Sequence, residues 1–216
     1  MDTNPLAADP APIIAQRSED FVNGLKVLTG LTEGPVNLCV APQSGVAGDE
    51  VDGVREVAFS GPHPAGLAGT HIHYLDPVSV NKTVWTIGYQ DVIAIGALFT
   101  TGRIDTSRVV ALAGPQVNQP RLLTTQLGAN LNQLVIGELA NDENRMISGS
   151  VLAGRKAAGA FAFLGRYHAQ VSVIREGRER QLFHYLRAGV DKHSALPIFV
   201  SSLTKKLFNM TSSTNG

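Results

Sequence analysis

Apolar residues in the first half of the chain recur in two rhythms. Between residues 13 and 31, Ile14, Phe21, Leu25 and Leu28 fall near helical spacing and the pattern closes at Gly30 or Gly34, which predicts one amphipathic helix. Residues 36–40, Val-Asn-Leu-Cys-Val, read as a short buried strand. Residues 54–59 read as a second, after a polar loop holding Gly45, Gly48 and Gly53. Further on, 83–87 (Thr-Val-Trp-Thr-Ile) predicts another strand, and 89–99 a helix that buries Ile93, Ile95 and Leu98. Strands alternating with helices predict a layered α/β domain over 1–102 with a largely parallel sheet.

From Arg103 the rhythm shortens. Strands are expected at 108–114, 120–126, 145–149 and 167–174, around one short helical turn at 130–134. A strand pair, a small helix and returning strands outline an α+β unit such as a β-grasp, expected over 103–177. Residues 175–180 (Arg-Glu-Gly-Arg-Glu-Arg) read as a solvated hairpin turn. The last part, 178–216, is mixed, with a possible helix within 190–209 and a polar end.

Composition narrows the function. At 216 residues the chain can bury roughly 70% of the surface its unfolded form exposes. Eighteen Lys and Arg balance eighteen Asp and Glu, so no global positive field draws in a phosphate backbone, and nucleic acid is not an expected partner. The single cysteine, Cys39, excludes a disulfide within the chain and reads as a buried strand residue rather than a reactive thiol. The start has no basic segment followed by an apolar one, so no signal peptide is visible, and the longest apolar stretch, 92–99, is far short of the ~20 residues that span a bilayer. A soluble chain, able to dock onto something that is not, is expected.

The densest candidate chemistry lies in 61–77, where three histidines, three glycines and three prolines fall within seventeen residues. His63, His71 and His73 are weak candidates for a metal site. On a strand His71 and His73 would share a face; on a helix they diverge by roughly 200° and cannot share an ion. Pro64 suits a first helical turn and favours the helix, with the imidazoles satisfying backbone or a domain contact. Gly61 to Gly66 and Gly149 to Gly154 have the outer spacing of a phosphate loop but lack the Lys-Ser/Thr that follows it, and no G-x-G-x-x-G occurs. No G-x-S-x-G elbow marks a nucleophile. Glu138, Asp142 and Glu143 could pair as carboxylates, but 141–145 reads as a solvated turn.

Several ordered motifs nevertheless match one family. Met1-Asp-Thr-Asn-Pro-Leu-Ala, Gly61-Pro-His-Pro-Ala-Gly-Leu-Ala-Gly-Thr-His-Ile-His, Tyr89-Gln-Asp-Val-Ile-Ala, Leu112-Ala-Gly-Pro, Ile147-Ser-Gly-Ser-Val-Leu, Leu164-Gly-Arg-Tyr and Leu207-Phe-Asn-Met-Thr resemble the A subunit of the sodium-translocating NADH:quinone oxidoreductases, across essentially the whole chain. The resemblance implies an internal piece of a longer subunit, with a partial Rossmann-like domain over 1–102, a soluble-ligand-binding β-grasp domain over 103–177 and the beginning of a C-terminal region. It implies a peripheral protein on the cytoplasmic side of a bacterial inner membrane, partnered by membrane subunits and by ubiquinone in the full complex. Flavins, iron centres and NADH oxidation would lie on other subunits, so no cofactor is expected in this chain and no catalytic residue is assigned. The first part also resembles, distantly, the flavin- and NADH-binding domain of the respiratory complex I flavoprotein subunit, although that relative's glycine-rich flavin loop is not found here. Two rival readings stand beside the leading one: a flavin or nicotinamide binder, and a metal-dependent enzyme built on the three histidines.

Overall fold

The computed structural model describes residues 1–48, 50–140, 143–179, 182–183, 186–193 and 196–213. The predicted helix over 13–31 is two helices, α1 (Pro10–Ala15) and α2 (Ser18–Thr29). Asp9 caps α1 by accepting the Ala11 N–H at 3.0 Å, and Pro10 starts it, where a missing N–H costs nothing. The break is at Arg17, whose backbone leaves the helical region (φ −133°, ψ 38°) while its guanidinium is held by Asp20 at 2.7 Å and Asp105 at 3.1 Å.

Helix α2 crosses a later helix, Tyr89–Thr101, numbered α4, and the crossing is a contact of backbones. A Cβ on Gly24 would lie 2.1 Å from the Val92 carbonyl oxygen, and one on Gly96 would lie 1.8 Å from that of Asp20, so glycine at both positions lets the helices touch. Ile14, Phe21, Leu25, Val51, Val92 and Ile93 form the core around this crossing. The inward face of α4 is therefore Val92, Ile93, Gly96 and Ala97, with Ile95 and Leu98 only half-buried, a rotation of the expected stripe toward the glycine contact. Gly102, in the left-handed region at φ 70°, ends α4 by donating to the Leu98 carbonyl.

Strands β1 (Val36–Val40) and β2 (Val54–Ala58) pair in parallel, from Val36 opposite Val54 to Val40 opposite Ala58. The expected third strand at 83–87 does not form: the segment has no regular secondary structure, joins no ladder among the described residues, and leaves Trp85 89% exposed. A segment with no ladder neighbour leaves its backbone groups to water. Between β2 and this segment, α3 (Ala68–Leu75) begins four residues after Pro64, so Pro64 lies in the turn before the helix and not in its first turn.

The second sheet has five strands in the order β4-β3-β7-β5-β6. They are β3 (Ser107–Ala113), β4 (Arg121–Gln126), β5 (Asn144–Ser148), β6 (Arg155–Lys156) and β7 (Gln170–Arg175), with the single turn of α5 (Leu131–Leu134) after the first hairpin. The first and last strands, β3 and β7, run parallel at the centre and the remaining pairs are antiparallel, which is the β-grasp arrangement. Val110, Leu112, Leu131, Val171 and Val173 are fully buried between sheet and helix. Strand β7 starts three residues later than expected, because Gly165 to His168 form a turn closed by the His168 N–H on the Gly165 carbonyl.

The charged run after β7 is not simply solvated. Glu176 is 9% exposed and takes a two-pronged contact from Arg145 at 2.6 and 2.9 Å plus the Ser212 hydroxyl at 2.5 Å. Arg180, the end of that run, lies outside the described residues. Within 190–209 the only helical element among the described residues is the 3-10 turn Val200–Leu203, and Ile198, Leu203 and Leu207 stay exposed.

Candidate functional site

A groove of about 1570 Å³ runs along β1. Its walls are apolar side chains of α2 (Phe21, Leu25), β1 (Val36, Leu38) and α3 (Ile72, Leu75), and 83–88 forms its far side. One end reaches the seam between the two sheets, where Asp91, Arg108 and Arg166 line it.

That seam is built from the start of α4. Asp91 stands in the first turn, where the positive end of the helix favours a carboxylate, and takes ion pairs from Arg108 of β3 and, at 2.8 Å, from Arg166 ahead of β7. Arg108 is 5% exposed; its remaining donors reach the carbonyls of Ser107 at 3.1 Å and Gln90 at 3.5 Å. Gln90 acts as an extra backbone unit beside β3: its amide donates to the Val109 carbonyl and accepts the Val109 N–H, both at 2.8 Å. Gln170, buried, donates to the carbonyl of Pro5 and to Ser172 Oγ, both at 2.9 Å, and so ties the N-terminal loop to β7. Sequence spacing carried no sign of these residues, because each polar partner comes from a different element.

The three histidines take separate partners. His63 Nδ1 lies 3.0 Å from the Thr3 carbonyl, so that nitrogen carries the proton. His71 lies within α3, its Nε2 donating to the Ala65 carbonyl at 2.9 Å and its ring 4.3 Å from that of Phe59; burial lowers its pKa. His73 is exposed and meets Tyr74 edge-on. Among the described residues no group of three His, Cys, Asp or Glu side chains is placed to hold a metal ion. Cys39 is half-buried in β1, and burial raises its thiol pKa, which disfavours the nucleophilic thiolate.

The carboxylates do not pair with one another. Glu138 is clasped by Arg121 at 2.6 and 2.7 Å, Glu143 meets Arg178 at 2.7 Å, and Asp142 lies outside the described residues. The two loops with phosphate-loop spacing have backbone N–H groups committed elsewhere: Gly66 to Thr3 Oγ1, Gly149 to the Gln170 carbonyl, Gly154 to that of Ser150. A serine and a histidine do meet, Ser148 Oγ and His168 Nδ1 at 2.7 Å. Ser148 is fully buried, and its oxygen also accepts the Gly165 N–H at 2.9 Å, so the hydroxyl is held by both contacts. No described carboxylate hydrogen-bonds to that ring, and burial, then the charge of Arg155, lowers its pKa. The pair closes a turn and does not present a nucleophile.

An α/β layer followed by a β-grasp sheet, joined through a buried ion pair, defines a two-unit protein of mixed α/β architecture. Two family models match it: the NqrA second alpha/beta domain over residues 1–104 and the NQRA C-terminal domain over residues 109–159. Over the whole chain it is 61% identical to the A subunit of the Na(+)-translocating NADH-quinone reductase of Marinomonas sp. (strain MWYL1), 60% to that of Cellvibrio japonicus (strain Ueda107) and 58% to that of Pseudomonas aeruginosa (strain PAO1), covering 48% of each relative. The chain belongs to this NqrA family, and it spans about half the length of the curated relatives it matches.

Proposed function

We propose that this chain is a non-catalytic, cytosol-facing part of a sodium-translocating NADH:ubiquinone oxidoreductase. It docks to membrane subunits and supports the quinone end of the electron transfer that is coupled to Na+ export. The observation that carries the reading is the relatives, each named as the A subunit of that reductase and alike over every part of this chain. The reading divides the chain into 1–102, 103–177 and 178–216, with the Asp91–Arg108 ion pair holding the first two units in register. Two features support docking rather than chemistry. No helix among the described residues is long and apolar enough to cross a membrane. The β-grasp unit also exposes the apolar side chains of Val151, Leu152, Phe161 and Phe163, surface that water disfavours.

The test uses the assembled complex. A photoreactive ubiquinone is crosslinked, labelled peptides are mapped, and Phe161→Asp is compared with the parent for incorporation into the complex. Label within or beside this chain, with reduced incorporation of the variant, is the expected result. Label confined to other subunits overturns the quinone-end assignment, and full incorporation of Phe161→Asp overturns docking through this face.

A further inference from the structure

We infer that in the longer polypeptide of this family the groove beside β1 is filled by a strand of the same chain that leads directly into Met1, lies parallel to β1, and separates it from residues 83–88.

Four observations converge on that occupant. First, β2 pairs with only one edge of β1, and along its other edge lies the groove, with no ladder partner among the described residues. An open edge of this kind is a template for another strand. Second, the backbone nitrogen of Met1 lies 2.7 Å from the carbonyl oxygen of Cys39, the penultimate residue of β1. That is where a neighbouring strand's peptide N–H would bond. Burial lowers the pKa of the Met1 ammonium, so the position suits a neutral peptide better than a charge. A strand that reaches Met1 from the N-terminal side ends level with the end of β1 and therefore runs parallel to it. Helices α1 and α2 then supply the crossover that parallel neighbours require.

Third, the segment across the groove has the composition of a strand and none of its pairing. Val84 is half-buried, whereas Trp85 and Ile87 are 89% and 44% exposed. Inserting one strand gives the spatial order β2, β1, new strand, 83–87. Numbered along the polypeptide this is 3-2-1-4, the beginning of the doubly wound order, in which the first strand is central. Fourth, size and lining fit a polypeptide. The groove, at about 1570 Å³, exceeds the ~300–1,000 Å³ usual for a small-molecule site. Its walls are apolar side chains of α2 on one hand and of α3 on the other, and a parallel strand covered on both faces is a continuous apolar run of roughly five residues. The relatives, of which this chain covers 48%, have polypeptide to supply it.

The experiment compares the full-length protein with the 216-residue chain. Thr86→Cys is introduced across the groove that it and the native Cys39 both line, and both proteins are oxidised; disulfides are mapped by peptide. With a strand between them, the two positions are separated by two strand spacings, ~9.6 Å, beyond the ~7 Å that a disulfide tolerates. The full-length protein is expected to form no 39–86 disulfide. Its Trp85 emission, isolated by subtracting a Trp85→Phe variant, is expected to be blue-shifted and less accessible to acrylamide than in the short chain, with slower hydrogen exchange along β1. A 39–86 disulfide in the full-length protein, or Trp85 equally accessible in both, overturns the inference. Protection of Trp85 in the short chain that rises with protein concentration would assign the groove to a second copy, and overturns it too.

Discussion

The two sheets of this molecule differ in how completely they bury themselves. In the β-grasp unit the central strands β3 and β7 are flanked on both sides, and Val110, Leu112, Val171 and Val173 have no accessible surface. In the α/β unit the two strands are half-buried, only Val40 among the residues of β1 is fully inside, and Val78, Val80 and Trp85 face solvent. Parallel sheets are normally covered on both faces. The second unit is thus complete within itself, whereas the first gets its order from the α2–α4 crossing and from its ties to the second.

Core substitutions should separate the two units most sharply. Leu112→Ala should cost about 4 kcal/mol, since it empties a fully buried position between strands. Leu38→Ala, in half-buried β1, should cost about 1 kcal/mol. Denaturant midpoints of the two variants check this, and equal losses would break the comparison. In a protein with the groove occupied, the cost of Leu38→Ala should rise toward that of Leu112→Ala.

Next in size is Gly96→Leu, which pushes a side chain into the backbone of α2 and should cost about 3 kcal/mol. Hydrogen exchange should then show α2, α4 and β1 opening while β3 and β7 keep their protection. Uniform loss would mean that the two units unfold as one. Asp91→Ala acts on the seam. It leaves Arg108 buried with only carbonyl partners, for about 2 kcal/mol, and should also loosen the exchange of the Val109 amide that Gln90 holds. A normal Val109 amide in that variant would remove the ion pair from the account of how the units are joined.

Much of this contrast was legible in the sequence and part was not, for physical reasons. Alternation and turn residues placed β3, β4, β5 and β7 to within a few residues, because each strand's burial is set by neighbours inside the same unit. The strand-like composition of 83–87 was also legible, but no strand forms there, because a strand needs a partner as well as a composition. The break at Arg17 depends on Asp105, and the tilt of α4 on Gly24 meeting Val92, contacts between distant parts of the chain that no local pattern encodes. Glu176 looked solvated because its partners, Arg145 and Ser212, are 31 and 36 residues away. In the sequence the histidines drew attention by density, yet Gln90, Asp91, Arg108 and Arg166 make the seam, each an ordinary polar residue until the fold brings them together.

A weaker effect, confined to the end of β7, is a dependence on pH. Arg145 first, and then the Ser212 hydroxyl, hold the Glu176 carboxyl at about 2, below its ordinary 4.5. A carboxylate whose pKa is lower folded than unfolded stabilises the fold fully above the unfolded value and loses that contribution as pH falls through the folded one. The β-grasp unit should therefore weaken progressively between pH 4.5 and 2. Glu176→Gln, which cannot titrate, should flatten this slope while lowering stability at neutral pH, because Arg145 loses its charged partner. His168 titrates in a separate window. Its pKa is lowered from 6.5 by burial and then by Arg155, so its neutral form is favoured in the fold and its contribution fades as pH drops below 6.5. Chemical denaturation at stepped pH, with hydrogen exchange at Val173 in β7 as the local readout, separates the two windows. An unchanged slope below pH 4.5 in Glu176→Gln would show that the contact seen at the end of β7 does not couple to the stability of the sheet beside it.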